Sequence, residues 1–342
     1  MSESLAYRTE PPAVYGRIRS QPEDFEVIEE LRFNADGEGE HVLLRVRKRA
    51  ANTAWVAEQL AAYAGVAVRA VSYAGLKDRW AVAEQWFSVH LPGRRDPDWS
   101  ACGGADFCIL QHTRHSRKLR RGALKGNAFR IIVRDLDGPV ADLEERLQHA
   151  LVEGVPNYFG EQRFGRDSAN VSRAELMFAG QRVGNRRQRS LYLSAARSYV
   201  FNRVLSQRVI ENTWNQPLVG DVMMLDGTHS IFPVYQPDAE VVQRVAALDI
   251  HPTGPLWGVG EPPSQAVVLA LEKAVAATLP VLCSGLQQTN NLRQERRALR
   301  LRLNKASLER HEDSVQICLH LPAGAYATTV LRELLRYDVS IH

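Results

Sequence analysis

The sequence predicts an α+β protein in which a sheet-forming part is interrupted by a mostly helical insert. Three observations predict it. Short apolar runs bounded by turn residues, several alternating with period two, occupy roughly the first 150 positions. From about residue 153, Asn/Gly/Arg-rich loops separate helix-spaced segments. Near the end, Val315, Ile317, Leu319 and Leu321 alternate with Gln316, Cys318 and His320, the pattern of a half-buried strand. That last strand needs neighbours for its backbone groups. The first part offers several strands and the insert few, so 1–152 and 304–342 read as one domain and 153–303 as an insertion. A chain of 342 residues fits two domains and can bury a core without covalent staples.

Element by element, DFEVIEEL (24–31) reads as a short strand, DGEGE (36–40) as a turn and HVLLRVR (41–47) as the returning strand. Asn52 is placed to cap a helix running to about Tyr63, with Trp55, Val56, Leu60 and Tyr63 at helical spacing. Residues 67–73 read as extended and end at Gly75; WFSVHL (86–91) and FRIIVR (129–134) are further strands; 140–151 is an amphipathic helix. In the insert, helices are expected at about 194–211 and 264–279. Ser194 is the expected cap of the first, and Tyr199, Val200, Val204 and Leu205 its apolar face. A looser stretch between them holds many of the prolines and several tryptophans. After the final strand, Pro322 and Gly324 make a turn into the helical TTVLRELLR.

Composition excludes several classes. With 45% hydrophobic and 24% charged residues the chain reads as globular. Cys102, Cys108, Cys283 and Cys318 are too scattered for a disulfide scaffold. No apolar run has the length of a membrane span, and the first residues lack a signal-peptide pattern, so a cytoplasmic setting without membrane contact is expected. The net charge is only +4, but it is segregated. Residues 111–130 hold Arg114, Arg117, Lys118, Arg120, Arg121, Lys125 and Arg130 and no acid, which suits a phosphate-binding groove. Further clusters are Arg182, Arg186, Arg187 and Arg189, and Arg293, Arg296, Arg297, Arg300 and Arg302. All three are expected to face one cleft.

Cys102, Cys108, His112 and His115 have a spacing that matches no common zinc site, so no metal is expected. No G-x-S-x-G, P-loop or G-x-G-x-x-G is present. The most informative segment is SYAGLKDRWAVAEQWFSV (72–89). Gly75 permits a turn from which Asp78 projects between Lys77 and Arg79. An anionic carboxylate set between cations on a loop suits a nucleophile or a base; a solvated surface turn would carry the same residues.

Seven segments, in order, carry a resemblance: PEDFEVIE (22–29), DGEGEH (36–41), AGLKDRWAVAEQW (74–86), ALKGNAFR (123–130), VPNYFGEQRFG (155–165), LSAARSYVFN (193–202) and LPAGAYATTVLREL (321–334). On these the chain resembles the TruD family of RNA pseudouridine synthases nearly end to end. The resemblance implies a mixed or antiparallel-sheet catalytic domain interrupted by a mostly helical α/β TRUD insertion domain. It implies an isomerase acting on tRNA, at uridine 13 of the D-arm, with no cofactor, no required protein partner and a monomeric state. Asp78 falls on the family's nucleophile. Asn127 and Phe129 fall on its KGNAF motif, Phe25 on its PEDF motif, and Tyr326 where its last active-site aromatic, usually Phe, stands. Arg19, six residues before Phe25, stands where the family has a lysine and is the expected cation for Asp78; Lys77 is the other candidate. Attack at C1′ and a glycal route through C2′ both stay open. A non-catalytic RNA-binding or chaperone protein is the alternative; a DNA-binding regulator is disfavoured because no compact helix-turn-helix accompanies the basic run.

Overall fold

A computed structural model describes residues 5–120 and 122–339. The chain forms two compact units, one of residues 13–147, 304–324 and 335–339, the other of 5–12, 148–303 and 325–334. In chain order the first unit opens with β1 (Tyr15–Ile18), β2 (Phe25–Leu31), β3 (His41–Arg49), α1 (Thr53–Ala64), β4 (Val71–Tyr73), β5 (Val82–His90), β6 (Phe107–His115), β7 (Leu124–Asp137) and the start of α2 (Val140–Glu153), whose end from Gln148 belongs to the second unit. The second contains β8 (Val155–Pro156), α3 (Ala169–Phe178), α4 (Arg186–Ile210), β9 (Asp221–Leu225), β10 (Ile231–Val234), α5 (Ala239–Ala246), β11 (Ile250–Leu256), α6 (Ala266–Ala277), α7 (Pro280–Gln287), β12 (Glu295–Ala298) and β13 (Arg300–Leu301). The chain then returns with β14 (Lys305–Arg310) and β15 (Ser314–Pro322), supplies α8 (Ala327–Leu334) to the second unit, and ends the described part with β16 (Arg336–Val339).

The first unit is built on one sheet in the order β14-β15-β7-β2-β5-β3-β6, with β1 on β7, β16 on β1 and β4 on β5. All pairs along the main path are antiparallel except β2 with β5. β3 is apolar on both faces. Val42, Leu44 and Val46 meet the inner face of α1, and Leu43 joins Ala74, Leu119 and Leu124 on the other side. The buried face of α1 is Val56, Ala57, Leu60, Ala61 and Ala64, whereas Trp55 and Tyr63 are exposed. Asn52 occupies the cap position but its side chain makes no capping hydrogen bond. The expected extended run at 67–73 is a 3-10 turn at Val68–Ala70 followed by β4.

The second unit corrects the sequence reading in two places. α4 begins at Arg186, capped by Asn185, whose side chain accepts from Gln188 N at 2.9 Å. Ser194 is therefore inside the helix; the first two turns, RRQRSLYL, are mostly polar and carry no apolar stripe to reveal them. The stretch read as loose holds β9, β10 and β11, which with β12 form a sheet of order β10-β9-β11-β12. Prolines hid it: Pro252 and Pro255 lie within β11, where pairing passes from β9 (Ile250–Pro252) to β12 (Thr253–Leu256), a site that tolerates residues unable to donate. α3, α4, α6 and α7 close a core around Tyr158, Phe201, Trp214, Trp257 and Leu286. Gly285 on α7 lies against the Phe178 ring, which a Cβ would strike at 2.1 Å. Among the described residues no single helix is long and apolar enough to cross a membrane.

Candidate active site

The site is laid out by strand register. β2 and β7 pair antiparallel with Phe25 opposite Ile131, Val27 opposite Phe129 and Glu29 opposite Asn127. Directly opposed residues point to the same face, so Phe25, Glu29, Asn127 and Phe129 share one. The Phe25 and Phe129 rings meet edge-on, 6.0 Å between centroids and 68° between planes. Phe25 and Asn127 are buried and Phe129 is half-buried.

The loop between β4 and β5 brings Asp78 to this face and is held by polar ties. Gln85 Nε2 donates to Gly75 O at 2.7 Å, Thr53 Oγ1 donates to Gln85 Oε1 at 2.9 Å, and Lys77 N donates to Thr53 Oγ1 at 3.2 Å. Lys48, fully buried, donates from Nζ to Ala51 O at 2.8 Å and to the Asp78 carbonyl at 2.9 Å. Trp80 Nε1 donates to Arg19 O at 3.1 Å. Arg19 Nη2 donates to Asp78 Oδ2 at 2.6 Å, and its guanidinium lies 4.1 Å from the Phe25 ring centre. The Asp78 side chain keeps 32% of its surface exposed against 12% for Arg19, so the carboxylate opens outward while its counter-charge is sheltered. Arg19 has φ 60°, unusual for a non-glycine residue.

Lys77 reaches two other residues of this face. Its Nζ donates to Asn127 Oδ1 at 2.6 Å and lies 3.1 Å from Glu29 Oε1. Burial pushes the Glu29 carboxyl upward, opposed by the Lys77 charge. Burial pushes the Lys48 ammonium down to about 8, opposed by the Asp78 charge. A cation-held, partly exposed carboxylate next to two aromatic rings and an amide can attack or deprotonate a flat polar ring stacked between them. Among the described residues no group of three or more His, Cys, Asp and Glu could hold a metal ion.

Comparison with known proteins settles the family. The family model described as tRNA pseudouridine synthase D (TruD) matches residues 2–178 and 173–334. The chain is 49% identical over 325 residues to tRNA pseudouridine synthase D of Methylococcus capsulatus, covering 94% of this chain and 92% of that one. It is 48% identical over 341 residues to the protein of the same name from Nitrosococcus oceani, covering 98% and 95%. The chain belongs to the tRNA pseudouridine synthase D (TruD) family. A crystal structure from Methanosarcina mazei titled 'Putative tRNA pseudouridine synthase D (TruD)' shares the fold, with TM-score 0.73 at 22% identity over 96% of this chain and 95% of that one.

In this TruD family chain, six of the residues singled out from sequence lie together in the first unit: Asp78, Arg19, Lys77, Phe25, Asn127 and Phe129. Tyr326 belongs to the second unit, where its ring meets that of Phe159 edge-on at 6.1 Å. Of the basic run, Arg117, Lys118, Arg120 and Lys125 are exposed. Buried Leu119 anchors the segment, and Arg117, Lys118 and Arg120 line a cleft of about 920 Å³ with Phe33, Asp36 and His115. The Arg114 guanidinium donates to Gly39 O, Leu91 O and Arg94 O and pairs with Asp96, which ties down neighbouring loops. Arg121 lies outside the described residues. The single cleft expected for all three clusters fails at the third. Arg296 is buried against Glu272 at 2.8 Å, and Arg300 is buried with Nε donating to His251 Nδ1 at 3.0 Å. Sequence reasoning missed Glu29 and Lys48. Their signal was there: each is a charged residue on the apolar phase of its strand, after Phe25 and Val27 in one and after Val42, Leu44 and Val46 in the other.

Proposed function

We propose that this chain converts a uridine of tRNA into pseudouridine, with Asp78 as the nucleophile. The observation that carries the reading is the Arg19–Asp78 pair beside Phe25, Phe129 and Asn127 on one sheet face. Family membership and the names of the relatives support the reaction class. The uracil N1–C1′ bond breaks, the base turns, and C5 bonds to C1′. The C5 proton leaves and N1 gains one, so substrate and product are isomers and neither electrons nor atoms need an outside donor. Asp78 attacks C1′ or assists a glycal route through C2′. Arg19 aims the carboxylate, and the Phe25 and Phe129 rings give a base flipped out of the stack a surface to lie on.

The finer reading is uridine 13 in the D-arm, carried by the resemblance of Asp78 and its motif neighbours. Residues 1–152 with 304–342 would then form the catalytic domain and 153–303 the TRUD insertion that helps to hold tRNA, and Tyr326 stands where the family's last active-site aromatic falls. Arg117, Lys118, Arg120 and Lys125 are the proposed phosphate contacts. A monomer working in the cytoplasm, without cofactor or protein partner, fits this reading. The test is incubation with an unmodified tRNA transcript and mapping of pseudouridine. Conversion at position 13 is expected; tight binding without any pseudouridine would favour the RNA-binding alternative.

A further inference from the structure

Register places Glu29 opposite Asn127, and Lys77 reaches both. The Glu29 side chain is fully buried and that of Lys77 nearly so. An ammonium group has donors only, so the oxygen of the Asn127 amide must be the atom that faces it. Turning the amide over would bring its NH2 against Lys77. The amide nitrogen has no partner among the described residues and lies on the face of Phe25 and Phe129.

We infer that the Glu29–Lys77 pair is a base-selecting lock, fixing Asn127 in the amide orientation that accepts uracil and refuses cytosine. The inference rests on the uridine reaction proposed above. Uracil offers a carbonyl acceptor beside its N3–H donor. The locked amide matches both, with Nδ2–H donating to the carbonyl and the second lone pair of Oδ1 accepting N3–H. Cytosine offers its N4 amino donor beside a bare N3, which demands the amide turned over, with its donor against the ammonium. On the O2 side cytosine sets the N3 lone pair against Oδ1. Discrimination thus comes from a repulsive contact built behind the amide as well as from the attractive one in front. Asn127 touches the base; Lys77 and Glu29 are positioning residues acting through it.

Titration of the full chain with uridine 5′-monophosphate and with cytidine 5′-monophosphate reads the base pocket without the tRNA backbone. The wild type is expected to bind the uridine nucleotide at least about tenfold more tightly, as a mismatched buried donor or acceptor commonly imposes. The double variant Lys77→Met/Glu29→Gln removes the lock without leaving a lone buried carboxylate. It should bring that ratio below about threefold while keeping a cooperative melt. Asn127→Asp, which accepts but does not donate, should shift the ratio toward cytidine and serves if the double variant does not fold. A wild type that binds both nucleotides equally, or a ratio unchanged in a folded variant, overturns the inference. Pseudouridine formation on tRNA is measured separately. Its absence would overturn the proposed activity, while the nucleotide ratio would still judge the lock.

Discussion

Arg19 sits at φ 60° with its guanidinium between a phenylalanine ring and a carboxylate. A left-handed backbone at a bulky residue costs of order 1 kcal/mol or more and persists where surroundings hold it. Here the Asp78 pair and the Trp80 hydrogen bond to the Arg19 carbonyl do so. Buried charge in the second unit has a different, structural use, and it makes a pH prediction. His251 is buried; its Nδ1 accepts from Arg300 Nε at 3.0 Å and its Nε2 lies 3.0 Å from Asp226 Oδ1. That geometry needs a neutral ring, since a proton on Nδ1 would face a guanidinium. Burial first, and Arg300 with it, pushes the imidazole below its ordinary 6.5. The unfolded chain therefore takes up this proton before the folded one as pH falls. The contribution is intact above about 6.5 and is lost progressively below it, until the folded ring also protonates. Melting of wild type and His251→Gln from pH 7.5 to 5 should show their difference in Tm narrowing on acidification; a constant difference would contradict this.

At the scale of elements, the site is where two pairings of β7 meet. β15 lies along β7 from Ser314 opposite Arg134 to Pro322 opposite Gly126, and β2 lies on its other side. Gly126, next to Asn127, lies against the opposing strand, and a Cβ there would come 2.4 Å from Leu321 O. Gly126→Ala should cost roughly 1–3 kcal/mol by forcing the backbones apart and should lower turnover by moving Asn127. Denaturant melts and kcat/KM check it, and an unperturbed variant would show the pairing to be looser than described. The sequence made β2 and β15 legible because one buried face imposes alternation, and β3 as a short apolar run bounded by turn residues. It made α4 legible from its middle but not its start, and it hid β11, because prolines at a switch of partners break the strand rules. The loop that carries Asp78 was legible as a motif. What positions it was not: Lys48 ties Asp78 through a backbone carbonyl, and such a tie leaves no spacing in the chain.

For the whole molecule, a net charge of +4 says little until each cation is assigned. Arg208, Arg296 and Arg300 are buried with partners at 3.0 Å or less, so these three hold the second unit together. Arg117, Lys118 and Arg120 are exposed around a cleft and are among the proposed phosphate contacts. Each of these changed to Ala should reduce the slope of log affinity for tRNA against log salt by up to about one. Arg296→Ala should instead unfold the unit, because it leaves Glu272 buried and unpaired; equal slopes in all four variants would contradict the division. The central claim, that Asp78 performs the chemistry, is tested most directly by Asp78→Asn on tRNA transcript. The amide oxygen can still accept from Arg19, so the melt and the tRNA affinity should stay close to wild type. Pseudouridine formation should fall by at least about a thousandfold. Formation at a rate near wild type in that folded variant would contradict the account.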